Sequence, residues 1–380
     1  DSSSTDSQVI SGVAAAGAPL AGTVSLKDSQ GNPSPALTTQ LDNEGKFEFD
    51  ISDLDLVPPF FLEAEGVAGN TPYTLHSVIH QAGTANVTPL TEAQVSAATG
   101  KNPADLFDDP SSAGLSNADM QAALEQAATD LQAMLQPLLD AWQVPQLDFN
   151  PITMAFEADG TGMDLFFDGT AVEVAANLIT VSDKASGTTL ATATVSSTGG
   201  LTETDSITDA EITQVSQTIS DLDQIKTFLP TWLTAVKTVS AAFAQGDFTE
   251  VEAAAELAPY YVDAANFGIN NGKDLDEELV EFLEDYVFIN AIQSLSNVGI
   301  VDYNSDTGAY LVSFNLSVQL HGPAGVYPVP SVGVVKDGDN WKITGNGYYA
   351  DDSVDTIVFK TVRNVWADET SQVTVIDFDL

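Results

Sequence analysis

Chemistry near neutral pH points first to the three histidines, His76, His80 and His321. His76 and His80 stand four apart in Leu75-His76-Ser77-Val78-Ile79-His80. On a helix that spacing puts both rings on one face, as a metal pair requires. The local pattern instead predicts a strand, where residues four apart share a face but lie about 13 Å from each other. Structural or surface roles are therefore expected for both. His321 stands before Gly322-Pro323, as a turn residue does. The chain has no cysteine, which removes thiolate metal sites, disulfides and cysteine nucleophiles. No Gly-x-Ser-x-Gly elbow and no phosphate loop ending in Lys-Ser or Lys-Thr occurs. Among 55 acidic residues no carboxylate pair stands out for glycoside hydrolysis. Asp159-Gly160-Thr161-Gly162-Met163-Asp164 has oxygen ligands in close succession, but Asp with Gly is also plain turn chemistry, and a turn is expected.

The charge excludes whole classes of partner. With 55 Asp and Glu against 11 Lys and Arg in 380 residues, the net charge is 11 − 55 = −44. A single arginine, Arg363, and scattered lysines offer no basic face to nucleic acid or to an anionic lipid surface. No apolar run reaches the ~18 residues of a membrane span, so no membrane insertion is expected. Such acidity keeps a protein soluble and is tolerated where salt screens it, as outside a cell. An exported, extracellular or outer-surface protein is the expectation. Absent cysteine fits either a chain passing through an oxidising space or domains large enough to need no staples. No cofactor is expected; calcium is the one ion that the carboxylates would suit.

A hydrophobic fraction of 43% supplies real cores, and the length suits two or three domains. Residues 1–8 (DSSSTDSQ) read as a flexible tether, with the numbering starting after a removed signal peptide; such tethers follow the lipidated cysteine of bacterial surface lipoproteins. Residues 9–87 alternate as strands separated by turns, with Phe47, Phe49 and Ile51 on one face and acids on the other. Residues 88–197 form a helical and β-hairpin middle region. Asn102-Pro103 and Ser116-Asn117-Ala118-Asp119 are its helix starts. Met120, Met134 and Trp142 fall on or beside the apolar stripe of the second helix and are expected in the core. Asn177–Val181 and Leu190–Val195 flank Asp183-Lys184-Ala185-Ser186-Gly187 as a hairpin, and Ser196-Ser197-Thr198-Gly199-Gly200 reads as a linker.

Residues 207–350 begin with helices, over Asp221–Gln245 with Pro230 dividing it, Phe248–Ala258, and Asp274–Ala291, and continue as strands. Pro328 and Pro330 place the start of one strand at Ser331, or that strand at an edge. Residues 351–380 are terminal strands. The expected class is thus α+β multidomain: an N-terminal β-sandwich, a helical and hairpin middle, and C-terminal helices packed on a curved antiparallel sheet.

Two resemblances refine this. Gly12, Gly17-Ala18-Pro19-Leu20-Ala21-Gly22-Thr23-Val24 and Asp42-Asn43-Glu44-Gly45-Lys46-Phe47-Glu48-Phe49 resemble the carboxypeptidase-regulatory-like, transthyretin-type sandwich. That resemblance implies a spacer or binding module of exported proteins, without catalytic residues. The run from Asn150 through Phe166 to Val174 is similar to the middle section of some exported bacterial proteins bearing the same module. Ser331-Val332-Gly333-Val334-Val335-Lys336 with Trp341-Lys342-Ile343-Thr344-Gly345-Asn346 resembles the last hairpin of the nuclear-transport-factor-like cone fold. In that fold helices and a curved sheet enclose an apolar pocket. The resemblance makes Tyr261, Asp263 and His321 the candidate ligand-binding residues. Two functions follow: a non-enzymatic surface protein for binding, adhesion or assembly, or a small-ligand carrier or enzyme using that pocket. The stretch Ser371–Leu380 is strand-like and wants a partner edge, in its own sheet, in a longer native chain or on another molecule. Donation between subunits would make a filament or matrix component.

Overall fold

A computed structural model describes residues 8–68, 71–268, 270, 273–304, 306–320, 322–346, 358–366 and 372–379. Seven strands come first: β1 (Val9–Val13), β2 (Ala21–Lys27), β3 (Leu37–Gln40), β4 (Lys46–Asp50), β5 (Phe60–Ala68), β6 (Thr71–Ile79) and β7 (Gly83–Thr84). They form two sheets, ordered β4-β1-β7 and β3-β2-β5-β6. Alternation decides which side is covered: Phe47 and Phe49 are buried while Glu48 and Asp50 between and after them are exposed. Ile10, Phe47 and Phe49 of one sheet share a core with Val24, Leu26 and Leu62 of the other, which makes the pair sandwich-like. The turn into β4 is held by Asp42, whose Oδ1 accepts the backbone N–H of Glu44 at 2.9 Å and of Lys46 at 2.8 Å.

Helices follow: α1 (Pro89–Thr99), α2 (Pro103–Asp108), α3 (Asn117–Ala141) and α4 (Gly162–Gly169). Asn102 caps α2 through the Ala104 N–H at 3.0 Å, with Pro103 in the first turn. Ser116 caps α3 by accepting from the Asp119 N–H at 3.2 Å. Met120, Leu124, Leu131, Met134 and Leu138 of α3 are buried with Trp142 in the main core, so the methionines and tryptophan are packing residues. Strands β8 (Thr170–Ala175), β9 (Leu178–Asp183), β10 (Thr189–Val195) and β11 (Leu201–Asp205) make an antiparallel sheet ordered β11-β10-β9-β8. Ser196–Gly200, expected as a linker, is instead the tight turn from β10 to β11. The Ser196 N–H reaches the Gly200 carbonyl at 3.1 Å, and the Gly200 N–H bonds the Ala97 carbonyl of α1 at 2.7 Å. Serine and glycine serve a docked turn as readily as a tether.

The C-terminal part has α5 (Asp209–Gln245), α6 (Glu250–Leu257), α7 (Ala264–Phe267), α8 (Leu275–Glu284) and α9 (Tyr286–Ala291). An antiparallel sheet follows, β12 (Ile292–Asn304), β13 (Ala309–Val318), β14 (Gly325–Asp337) and β15 (Asn340–Thr344), paired in that order. One expectation changes here, and of the two alternatives for the proline-bearing strand the edge holds, not the start at Ser331. Helix α5 is one helix of 37 residues, running through Pro230 and starting at Asp209, where Thr208 and Glu211 form a reciprocal capping box. Strand β14 pairs from Gly325 onwards, with Pro328 opposite Asn315. It tolerates proline because β15 pairs only with Gly333–Asp337, leaving the earlier half an edge, and because the register shifts at Ser313, opposite the Pro330 position. Tyr310 Oη donates to Asp221 Oδ2 at 2.8 Å and Trp341 Nε1 to Gln224 Oε1 at 3.2 Å, which fastens this sheet to α5. Strands β16 (Val358–Trp366) and β17 (Gln372–Asp379) pair antiparallel with each other. Ser371 and Leu380, the ends of the stretch considered for self-association, lie outside the described residues.

The chain is therefore a mixed α/β protein with several antiparallel sheets and, among the described residues, nine α-helices. No helix among them is long and apolar enough to cross a membrane. One apolar core runs continuously from Phe61 and Val78 of the sandwich through α1, α3 and β9–β10 to α5 and the sheet β12–β15.

Candidate functional site

Tyr261 follows a short turn after α6 and is 2% exposed. Its hydroxyl accepts a hydrogen bond from Trp232 Nε1 of α5 at 3.0 Å, and its ring lies 6.2 Å from that of Phe267. Burial pushes this hydroxyl well above the usual tyrosine range, so it is a neutral group held in place by the indole. Trp232 in turn stacks edge-on to Phe282, with ring centres 5.9 Å apart. Asp263 is exposed and caps α7, accepting from the Asn266 N–H at 3.0 Å and Asn266 Nδ2 at 2.9 Å. Tyr261 is thus interior and Asp263 at the surface, and the two are not brought together. His321 lies outside the described residues. Nearby Glu278 is buried, accepts from Asn270 Nδ2 at 3.0 Å, and has its carboxyl pushed up by burial.

His76 sits within β6, as its neighbours predict, and is buried between two carboxylates: Nδ1 is 2.9 Å from Glu92 Oε2 and Nε2 is 3.1 Å from Glu63 Oε2. Its role is to tie α1 to the sheet.

A second cluster was not legible in the sequence. Asp164 and Asp168 stand four apart on α4, hence on one face. They are 0% and 1% exposed. Asp159 makes the expected turn, its Oδ1 accepting from the Thr161 N–H at 3.0 Å. Asp164 belongs to the helix instead, with Oδ2 accepting the Gly160 N–H at 2.7 Å. Lys226 reaches from α5 to put Nζ 2.8 Å from Asp168 Oδ2. Lys184, just after β9, donates to the Phe167 carbonyl at 2.7 Å. Burial pushes Asp164 up to about 6 and Asp168 higher still, against the pull of Lys226; burial pushes Lys184 down. The Oδ1 atoms of both aspartates are buried without a hydrogen-bond partner. The available signal was the pair of acids at helical spacing around Phe166-Phe167; the cation it needs lies 58 residues away from Asp168.

The third feature is a groove of about 820 Å³ over the outer face of the sheet β4-β1-β7. Ser11 of β1 and Lys46 and Glu48 of β4 line it together with Phe156 and Glu157. Lys46 Nζ crosses it to Glu157 Oε2 at 2.8 Å. The lining has four carboxylates, Asp42, Glu48, Glu157 and Asp159, against Lys46 alone, a balance of 1 − 4 = −3. It is suited to a ligand with cationic or hydrogen-bonding groups. Among the described residues no three histidine or carboxylate side chains converge to hold a metal ion.

Fold and site thus define a mixed α/β protein with an open acidic groove and a largely buried ionic cluster. Comparison with known proteins finds no matching family model, no matching curated protein and no matching solved structure.

Proposed function

We propose that this chain is an exported protein of the extracellular space or outer cell surface that works by binding, adhesion or assembly and not by catalysis. The observation that carries this reading is the open groove of about 820 Å³ on the sandwich, whose charged lining residues are four carboxylates and one lysine. A concave sheet face whose lining mixes carboxylates with apolar side chains such as Met154 and Phe156 suits capture of an extended ligand with amine groups on an apolar stem. The net charge of −44 favours a soluble, self-repelling molecule in salty surroundings. The resemblance of the first module to exported spacer and binding domains points the same way. In the C-terminal part, Tyr261 and Trp232 spend their polar atoms on each other inside an aromatic packing, which favours a structural role there over ligand chemistry.

The reading is tested with an oligolysine peptide at about 0.15 M salt, where distant charges are screened. Glu157→Lys with Asp159→Lys reverses two groove charges; Glu250→Lys with Glu284→Lys reverses two exposed charges elsewhere and is the control. The groove variant should lose at least tenfold more affinity than the control. Equal losses would mean that the peptide follows overall charge, and the groove reading fails. Assembly is tested by sedimentation with and without residues 371–380, where strand donation requires the two profiles to differ.

A further inference from the structure

Lys226 and Asp168 are the most enclosed amine–carboxyl pair of the described residues, at 2.8 Å between Nζ and Oδ2. Their setting is unusual for an ion pair. Asp168 is fully enclosed, and its Oδ1 has no hydrogen-bond partner. Backbone closes over the pair: a Cβ on Gly160 would lie 3.5 Å from Lys226 Nζ and 4.0 Å from Asp168 Oδ2, and one on Gly299 would lie 3.2 Å from Asp168 Oδ1. A second buried carboxylate, Asp164, faces Asp168 from the preceding turn, and its charge disfavours ionisation of Asp168. A half-satisfied carboxylate in such surroundings is an expensive ion, because desolvation offsets most of the attraction to its partner.

We propose that Lys226 and Asp168 condense to a side-chain amide, a covalent cross-link between α5 and α4. The proton first passes from the ammonium to the carboxylate across the short hydrogen bond, leaving a neutral amine and a carboxylic acid. Burial of Asp168 favours its protonated form, in line with the raised affinity of that carboxyl for a proton. The amine lone pair attacks Asp168 Cγ and forms the C–N bond. The Cγ–Oδ2 bond then breaks, and Oδ2 leaves as water with the carboxyl proton and one amine proton. The amide nitrogen keeps one hydrogen, no electrons are exchanged with an outside reagent, and the buried charge of Asp168 disappears together with that of its part-buried partner. Holding the reacting groups in contact supplies the effective concentration that amide formation lacks in water.

Intact-mass spectrometry of the purified chain tests this. The protein should be lighter than its sequence by one water, and digestion should release a branched peptide joining Lys226 to Asp168. Lys226→Arg keeps the charge and most of the packing and should restore the full sequence mass. A wild-type chain at full mass shows an ordinary ion pair and overturns the proposal. Loss of water that persists in Lys226→Arg, without a branched peptide, would be a succinimide of Asp168 with the Gly169 nitrogen, and overturns it equally.

Discussion

Glu92 Oε2 takes two hydrogen bonds from one residue, the backbone N–H of His76 at 2.6 Å and its ring Nδ1 at 2.9 Å. Glu92 lies in the first turn of α1, where the helix dipole favours a carboxylate, and His76 lies in β6. With Nε2 also 3.1 Å from Glu63, both ring nitrogens face carboxylate oxygens, the arrangement of an imidazolium. Thr91 of α1 adds a bond from Oγ1 to the His76 carbonyl at 2.8 Å. The seam between sandwich and helices is therefore electrostatic as well as apolar.

The first prediction concerns pH. Burial opposes charge on His76, but the bonds and charges of Glu63 and Glu92 outweigh it and push the ring up to about 9. The unfolded ring titrates near 6.5, so the stabilisation is complete below that pH and is lost as pH rises through about 9. Its ceiling is roughly 3 kcal/mol, from 1.36 kcal/mol for each pH unit of separation. His76→Gln should therefore cost most at pH 6 and progressively less towards pH 9.5 in urea unfolding. A wild-type-to-variant gap that does not change over this range would show that the ring is neutral in the folded protein.

How much of this could be read from the residues themselves differs by the range of the interaction. Phe47, Phe49 and Ile51 announce β4 and its core face because strand alternation is local. Asn102-Pro103 and Ser116 announce helix starts because a cap needs only the next three residues. The capping box of Thr208 with Glu211 is equally local, yet the expected helix begins at Asp221, twelve residues after the observed start at Asp209. Ser196–Gly200 failed because composition marks a bend but not whether α1 lies beneath it. The Asp168–Lys226 pair and the two carboxylates on His76 depend on packing between distant segments, and no spacing rule reaches them.

Tyr261 supplies the second prediction. Tyr261→Phe removes the acceptor for Trp232 Nε1 and leaves a buried donor unpaired, at a cost of about 1–3 kcal/mol. A water-filled pocket at this position would let solvent replace the hydroxyl. A change below ~0.5 kcal/mol in chemical denaturation would therefore count against a packed interior.

The turn docked on α1 gives the third. Gly100 closes α1 with φ of 70°, and Gly187 has a comparable φ of 66° with open space for 4 Å around the point where a Cβ would stand. Alanine at either site meets the left-handed penalty of about 1–2 kcal/mol. At Gly100 its Cβ would also run into the Ser196 carbonyl and the Ser197 backbone. Gly100→Ala should therefore cost at least ~1 kcal/mol more than Gly187→Ala, as expected for overpacking. Equal losses would mean that the turn does not rest on the helix end.

Pro230 carries the last prediction. It is exposed in the interior of α5, with buried Ile225 and Leu229 before it and Trp232 and Val236 after it. Having no N–H, it leaves the Lys226 carbonyl without its helical donor, and its ring crowds that carbonyl. Proline inside a helix is about 3 kcal/mol worse than alanine, and an exposed side chain offers little packing in return. Pro230→Ala should accordingly raise the unfolding free energy by about 1–3 kcal/mol, seen as a higher urea midpoint with an unchanged slope. The opposite sign would be equally informative. Polar attachments flank the proline, Lys226 to Asp168 of α4 before it and Trp232 to Tyr261 after it. A loss of stability would mean that both attachments depend on the helix geometry that proline sets at this position, and that this outweighs the missing hydrogen bond.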